Sequence, residues 1–166
     1  MSEPWLHFTL AVLIQFLLFI VHALYEKKLS DIPRILSRGA FIGIVVGIPT
    51  DLVVGKSLDL CSYALGFGAF FLILNGIFLY GFFAAHILLM QFARLPDLFI
   101  RTIFIGAVFE ITNLFFRVWT YEFVLPPTEF LTVLLVGYFG YAILMAVISH
   151  IFLGRRFFFI DTLLKK

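Results

Sequence analysis

The sequence predicts an all-α membrane protein with five transmembrane helices, arranged as about two and a half parallel two-helix repeats. Three observations predict it. Of 166 residues, 63% are hydrophobic and only 13% charged, with a mean hydropathy of +1.10, whereas a soluble domain carries about 25% charged residues. That composition excludes a disordered tail, a disulfide scaffold and a nucleic-acid partner, and makes the lipid bilayer the chain's surroundings. Five apolar runs follow one another with short connections, each near the roughly 20 residues that a hydrocarbon core of about 30 Å requires. Finally, histidine, proline and glycine signals recur at an interval of 63 or 64 residues.

The five runs are Trp5–Tyr25, Gly39–Val54, Ala64–Phe92, Leu98–Phe116 and Phe130–Leu153. Helix is the expectation for all of them, because an unpaired backbone group in lipid costs several kcal/mol and no alternating barrel pattern is present. The leader Met1-Ser2-Glu3-Pro4-Trp5 has no Lys or Arg before the first run, so the first span is read as retained rather than cleaved. The second run is short, holds Pro49 and ends at Gly55-Lys56, which predicts a kink or a broken helix. In the third and fifth runs Gly76, Gly81, Gly137 and Gly140 are expected at close helix contacts. Asn75 and Gln15 are expected to bond between helices. The domain is therefore 1–154, followed by a basic and aromatic tail over 155–166 that suits an anionic inner leaflet.

Charge sets the orientation. Lys27, Lys28, Arg34, Arg38, Arg94, Arg101, Arg155, Arg156, Lys165 and Lys166 fall on one side, leaving Lys56 and Arg117 on the other beside Asp51, Asp59, Glu122 and Glu129. The positive-inside rule then places the N-terminus outside and the C-terminus in the cytoplasm of a bacterial or archaeal membrane.

Ile32-Pro33, Arg38 and Phe41-Ile42-Gly43 return 63 positions later as Leu95-Pro96, Arg101 and Phe104-Ile105-Gly106. Thr50-Asp51-Leu52 meets Thr112-Asn113-Leu114, and His22, His86 and His150 are spaced by 64. The copies are read as about 5–63 and 64–121, with a half copy at 130–154. A period of two spans keeps the copies parallel, and repeat interfaces are where membrane sites commonly form.

The candidate chemistry lies in the few charges within the spans. Glu110 stands nine residues after Arg101, about 13 Å along a helix and near the bilayer centre. Burying an acid there costs about 2.5–3.5 kcal/mol on insertion scales, so it must face the bundle interior, be paired or be protonated. Asn113 and Arg117 follow on its helical face. Asp51 lies higher, as an interfacial acid. Trp119, Tyr121 and Tyr63 read as an outer aromatic belt. Nothing in the sequence asks for a cofactor: Cys61 is the single cysteine, and the three repeated histidines lack companion metal ligands.

The segment Glu110-Ile111-Thr112-Asn113-Leu114-Phe115-Phe116-Arg117-Val118-Trp119-Thr120-Tyr121 places an acid eleven residues before the Tyr of a Trp-x-Tyr, and Asp51 stands twelve before Tyr63. This resembles the repeated unit of the membrane lycopene cyclase family. The resemblance implies Glu110 and Asp51 as intramembrane acids, with Asn113, Arg117, Trp119, Tyr121, Tyr63 and Asn75 around a bound isoprenoid. Where that family carries Pro-x-Glu-Glu, this chain has Leu74-Asn75-Gly76-Ile77 and Leu135-Val136-Gly137-Tyr138. Gly47-x-x-x-Asp51-Leu52-x-x-Gly55 is less closely similar to the rod-shape MreD membrane proteins and to substrate-binding components of vitamin transporters.

Three functions follow. The first is a non-enzymatic subunit or scaffold, packing against partner membrane helices or further copies of itself and related to lycopene cyclase-like proteins by divergence. The second is an isoprenoid or carotenoid cyclase-type enzyme with Glu110 as its acid. The third is a component that binds or transports a small molecule, an isoprenoid or lipid among the ligands expected.

Overall fold

The computed structural model describes residues 3–90, 94–122 and 125–154. Five helices are long and apolar enough to cross a membrane: α1 (Glu3–Tyr25), α2 (Leu29–Ser57), α3 (Ala69–Leu89), α4 (Leu95–Phe116) and α5 (Pro127–Leu153). The expected tail over 155–166 lies outside the described residues.

Two of the spans begin or end elsewhere than their apolar runs. The second starts at Leu29 rather than at Gly39, because Pro33 is tolerated in a first helical turn and the guanidinium of Arg34 bonds Asp31 at 2.6 Å on the exposed surface. The third starts at Ala69 rather than at Ala64. The residues between form an unpredicted feature, a two-stranded antiparallel ribbon of β1 (Cys61–Tyr63) and β2 (Trp119–Tyr121). Cys61 pairs with Tyr121, Ser62 with Thr120 and Tyr63 with Trp119. The ribbon joins the connection after α2 to the connection after α4, which puts both on one side when successive spans cross in opposite directions.

α2 is not broken at Pro49. The α-helix Ile32–Thr50 widens into a π-helical turn over Asp51–Ser57, and Thr50 Oγ1 bonds the carbonyl of Val46 at 2.8 Å. A missing proline N–H leaves the Val45 carbonyl without its usual donor, and the helix widens two residues further on, while the Thr50 hydroxyl goes to the neighbouring carbonyl of Val46. α3 carries a second π turn at Gly76–Tyr80.

α3 is the centre of the bundle: 72% of its 18-residue apolar stretch is buried, against 17% of the corresponding stretch of α5 and 28% of that of α1. Lipid tails are as apolar as leucine, so the helices are held by close backbone approach and not by hydrophobic exclusion. Gly39, Gly43 and Gly47 stripe one face of α2 and meet Gly81, Gly76 and Tyr80 of α3 at distances a side chain would occupy. The sequence reading placed Gly137 and Gly140 at such contacts too, but a Cβ at either would meet nothing within 4 Å. On α5 these glycines border open space, since that helix packs loosely. Gln15 of α1 donates to Thr112 of α4 at 3.2 Å, an interhelical bond as expected.

At the end of the bundle opposite the ribbon, Arg101 pairs with Glu26, and Lys28 Nζ bonds the Leu89 carbonyl at 2.9 Å. His22 and His86 stack there with their Nδ1 atoms 2.8 Å apart. Two of the three repeated histidines thus meet, as a bonded pair between α1 and α3. Among the described residues, no group of three His, Cys, Asp or Glu side chains is placed to hold a metal.

Candidate functional site

Both acids stand six residues before the ribbon-side end of their spans, Asp51 in the span ending at Ser57 and Glu110 in the span ending at Phe116, about 9 Å along a helix. Asp51 is no interfacial acid. It is only 1% exposed, because the π turn that begins at this residue carries its side chain inward under the ribbon. Its Oδ1 accepts from the hydroxyls of Tyr63 at 2.6 Å and Tyr80 at 2.8 Å, and its Oδ2 accepts from Asn75 Nδ2 at 2.7 Å. Glu110 Oε1 accepts from Tyr121 at 2.6 Å and Tyr138 at 2.7 Å. Charge-assisted bonds of this kind are about twice as strong as neutral ones, and they offset part of the cost of placing a carboxyl in a span.

The two clusters share a plan. One tyrosine comes from the ribbon strand that follows the acid's own helix. A second comes from the next span. Tyr63 and Tyr80 lie 12 and 29 residues after Asp51, and Tyr121 and Tyr138 lie 11 and 28 after Glu110. The sequence repeat had matched Asp51 with Asn113; by hydrogen bonding its counterpart is Glu110.

Between the clusters lies a cavity of about 280 Å³, walled by every span except α1 and by both strands. Asp51 and Asn75 form its polar end, while Phe83, Phe109, Trp119, Tyr138 and Tyr141 supply aromatic wall. Gly137 on α5 borders it where a Cβ would touch nothing. Among the described residues, the lining holds one carboxyl and no Lys, Arg or His.

In the strands, outside the spans, burial pushes the Tyr63 and Tyr121 hydroxyls up, and the neighbouring Asp51 and Glu110 carboxyls push them further. Both hydroxyls therefore remain protonated donors at neutral pH. Cys61, which also lines the cavity, is pushed up to about 11 by burial, with Asp51 and Glu122 adding to it.

Of the residues expected at a site, Asp51, Tyr63, Asn75, Trp119 and Tyr121 line the cavity. Glu110 connects to it through Tyr121 and Tyr138, so the acid at the wall is Asp51 and not the deeper-looking Glu110. Asn113 does not join the acid. Its Nδ2 bonds the Trp119 carbonyl and its Oδ1 accepts from the Trp119 N–H, both at 2.9 Å, which clamps β2 onto the end of α4. Arg117 stands exposed at the α4 C-terminus in the left-handed conformation, φ 48°. Its backbone reverses the chain into β2, which turns the side chain off the face it would share with Glu110 on a continuous helix.

The chain matches no family model, curated protein or solved structure. Its site is therefore read from its own residues. Sequence reasoning missed Tyr80, Tyr138 and Tyr141. The signal for the first two was legible as tyrosines at nearly equal distances, 29 and 28 residues, beyond two acids already matched by their spacing to Tyr63 and Tyr121.

Proposed function

We propose that this chain is a membrane protein that binds an apolar, isoprenoid-sized small molecule in the cavity between its two acid clusters. The cavity carries this reading. It opens along α5, where the lining residues Val133 and Gly137 are exposed, so a guest has a way in from the surroundings of the bundle. The lipid-facing exteriors of the helices, in contrast, need no partner besides lipid. At the low end of ligand-pocket sizes, with an aromatic wall and a few polar groups at one end, the cavity has the composition of a small-molecule site.

Proton delivery to a polyene, the cyclase-type chemistry, would fall to Asp51 as the acid in contact with the cavity. Three donors converge on Asp51, which suits it to accept hydrogen bonds from a guest more than to release a proton. The matched acid and tyrosine spacings, and the pairing of β1 with β2, support the reading that the site lies between parallel repeats. The cluster of Lys28, Arg34 and Arg101 at the opposite end supports a cytoplasmic location for that end, with the ribbon outside.

The test uses Trp119 as reporter. In the full-length protein carrying Trp5→Phe, Trp119 is the one remaining tryptophan. Titration with farnesol in a neutral detergent is expected to change its emission saturably, and Gly137→Leu, which adds bulk at a lining position where a Cβ meets nothing within 4 Å, is expected to abolish the change. A response that is absent, or identical in the Gly137→Leu protein, overturns the proposal.

A further inference from the structure

We infer that the cavity selects for a cationic amine head on its apolar guest. The inference rests on the binding reading above, and adds the chemical class of the head group. Asn75 is fully buried, and its Nδ2 is committed to the Asp51 carboxylate. With Nδ2 donating to Asp51, Oδ1 is the atom left over. Oδ1 is buried with no hydrogen-bond partner, an uncommon state for a polar atom.

Asp51 is unsaturated in the same place. A carboxylate offers about four acceptor positions, and Oδ1 takes two donors while Oδ2 takes one. Asn75 and Asp51 both line the cavity, and the bonding capacity left over at this end is for accepting only, so a guest that settles against it must bring donors. An ammonium can donate to both at once. A hydroxyl donates one proton, and a phosphate or carboxylate head brings acceptors and a like charge.

Charge points the same way. Described ion pairs among the side chains lie at the opposite end, at Glu26 with Arg101 and Asp31 with Arg34, and the cavity lining holds no basic side chain. A carboxylate within a span is costly without a counter-charge. The rings of Tyr63, Tyr80, Trp119, Tyr138 and Tyr141 on the wall offer the negative π faces that attract a cation. Guest and site would each neutralise what the other leaves exposed.

Three ligands with one tail separate this inference from the binding reading. Farnesylamine, farnesol and farnesyl phosphate are titrated against the full-length Trp5→Phe protein in a neutral maltoside detergent, with the Gly137→Leu version as the control for partitioning into micelles. The amine is expected to bind roughly tenfold tighter than the alcohol, and the phosphate weakest. In Asp51→Asn the advantage of the amine is expected to vanish. That variant should fold, since a turn of the Asn75 amide lets its Oδ1 accept from the new amide nitrogen, while the new amide oxygen still accepts from the tyrosines. Equal affinities for the three heads, tightest binding of the phosphate, or an amine preference that survives Asp51→Asn each overturn the inference while leaving the cavity as a binding site. Absence of cavity-dependent binding by all three overturns both readings.

Discussion

Gly43→Ala adds a single methyl at the crossing of α2 and α3, and the structure sets its cost. A Cβ at this position falls inside 3.0 Å of three backbone atoms of α3: the Gly76 carbonyl oxygen, the Gly81 nitrogen and the Gly81 Cα at 2.7 Å. None of these is the end of a flexible side chain, so the helices themselves must separate. Overpacking costs about 1–3 kcal/mol, and rigid backbone on both sides places this case at the top of that range. Alanine recovers about 1 kcal/mol of helix propensity over glycine, leaving a net loss of about 2 kcal/mol. For a chain of this length that corresponds to a fall in melting temperature of about 4–8 °C. Separation also strains the Asn75 to Asp51 bond, which joins the same two helices at 2.7 Å. Thermal unfolding in detergent, followed through exposure of the single Cys61 to a fluorogenic maleimide, measures the shift. Gly137→Ala is the internal comparison: its Cβ meets nothing within 4 Å, so propensity alone acts and the melting temperature is expected to hold or rise by a few degrees. If Gly43→Ala melts with the parent protein, or the two alanines behave alike, close backbone contact does not hold α2 to α3.

Two further outcomes follow from the ribbon. With its thiol pushed up to about 11, Cys61 in the folded protein should react with a water-soluble maleimide about tenfold faster per pH unit from 7 to 9, because the thiolate is the nucleophile and its fraction rises tenfold per unit below the pKa. A rate that levels off between pH 8 and 9 would indicate an ordinary thiol and refute the burial of this side chain. Asn113→Ala removes both bonds to the Trp119 backbone, at an expected cost of about 1–3 kcal/mol for groups left unsatisfied. Faster exchange of the Trp119 amide hydrogen and red-shifted Trp119 emission should accompany it, and unchanged exchange would show that β2 does not depend on this clamp.

Much of the architecture was legible because lipid imposes it. A run of apolar residues long enough to span the bilayer must be helical, and Gln15 and Asn75 within such runs must find partners on other helices; both do. The ribbon was not legible. Three-residue strands have no periodicity to detect, and their pairing joins segments 58 residues apart in sequence, as with Ser62 and Thr120. Asn113 was misplaced for the same reason, its amide being taken by the backbone of β2 at Trp119, and Arg117 for another. Helical spacing holds only while the helix continues, and α4 ends at Phe116 with a left-handed residue after it.

By itself the sequence determined the surroundings, the number of spans and the identity of the two acids, since each follows from transfer energies that depend on residue type and run length alone. Only the tertiary structure decided which acid meets the cavity. Helical distance from Arg101 singled out Glu110, but the distance from a basic residue along one helix says nothing about which neighbour fills the space beside it. The π turn at Asp51–Ser57 and the tyrosines reaching in from β1 and α3 place Asp51 at the cavity wall. The tyrosines of β2 and α5 hold Glu110 one side chain further back. Accessibility to a guest is a property of the packed helices and not of any one of them.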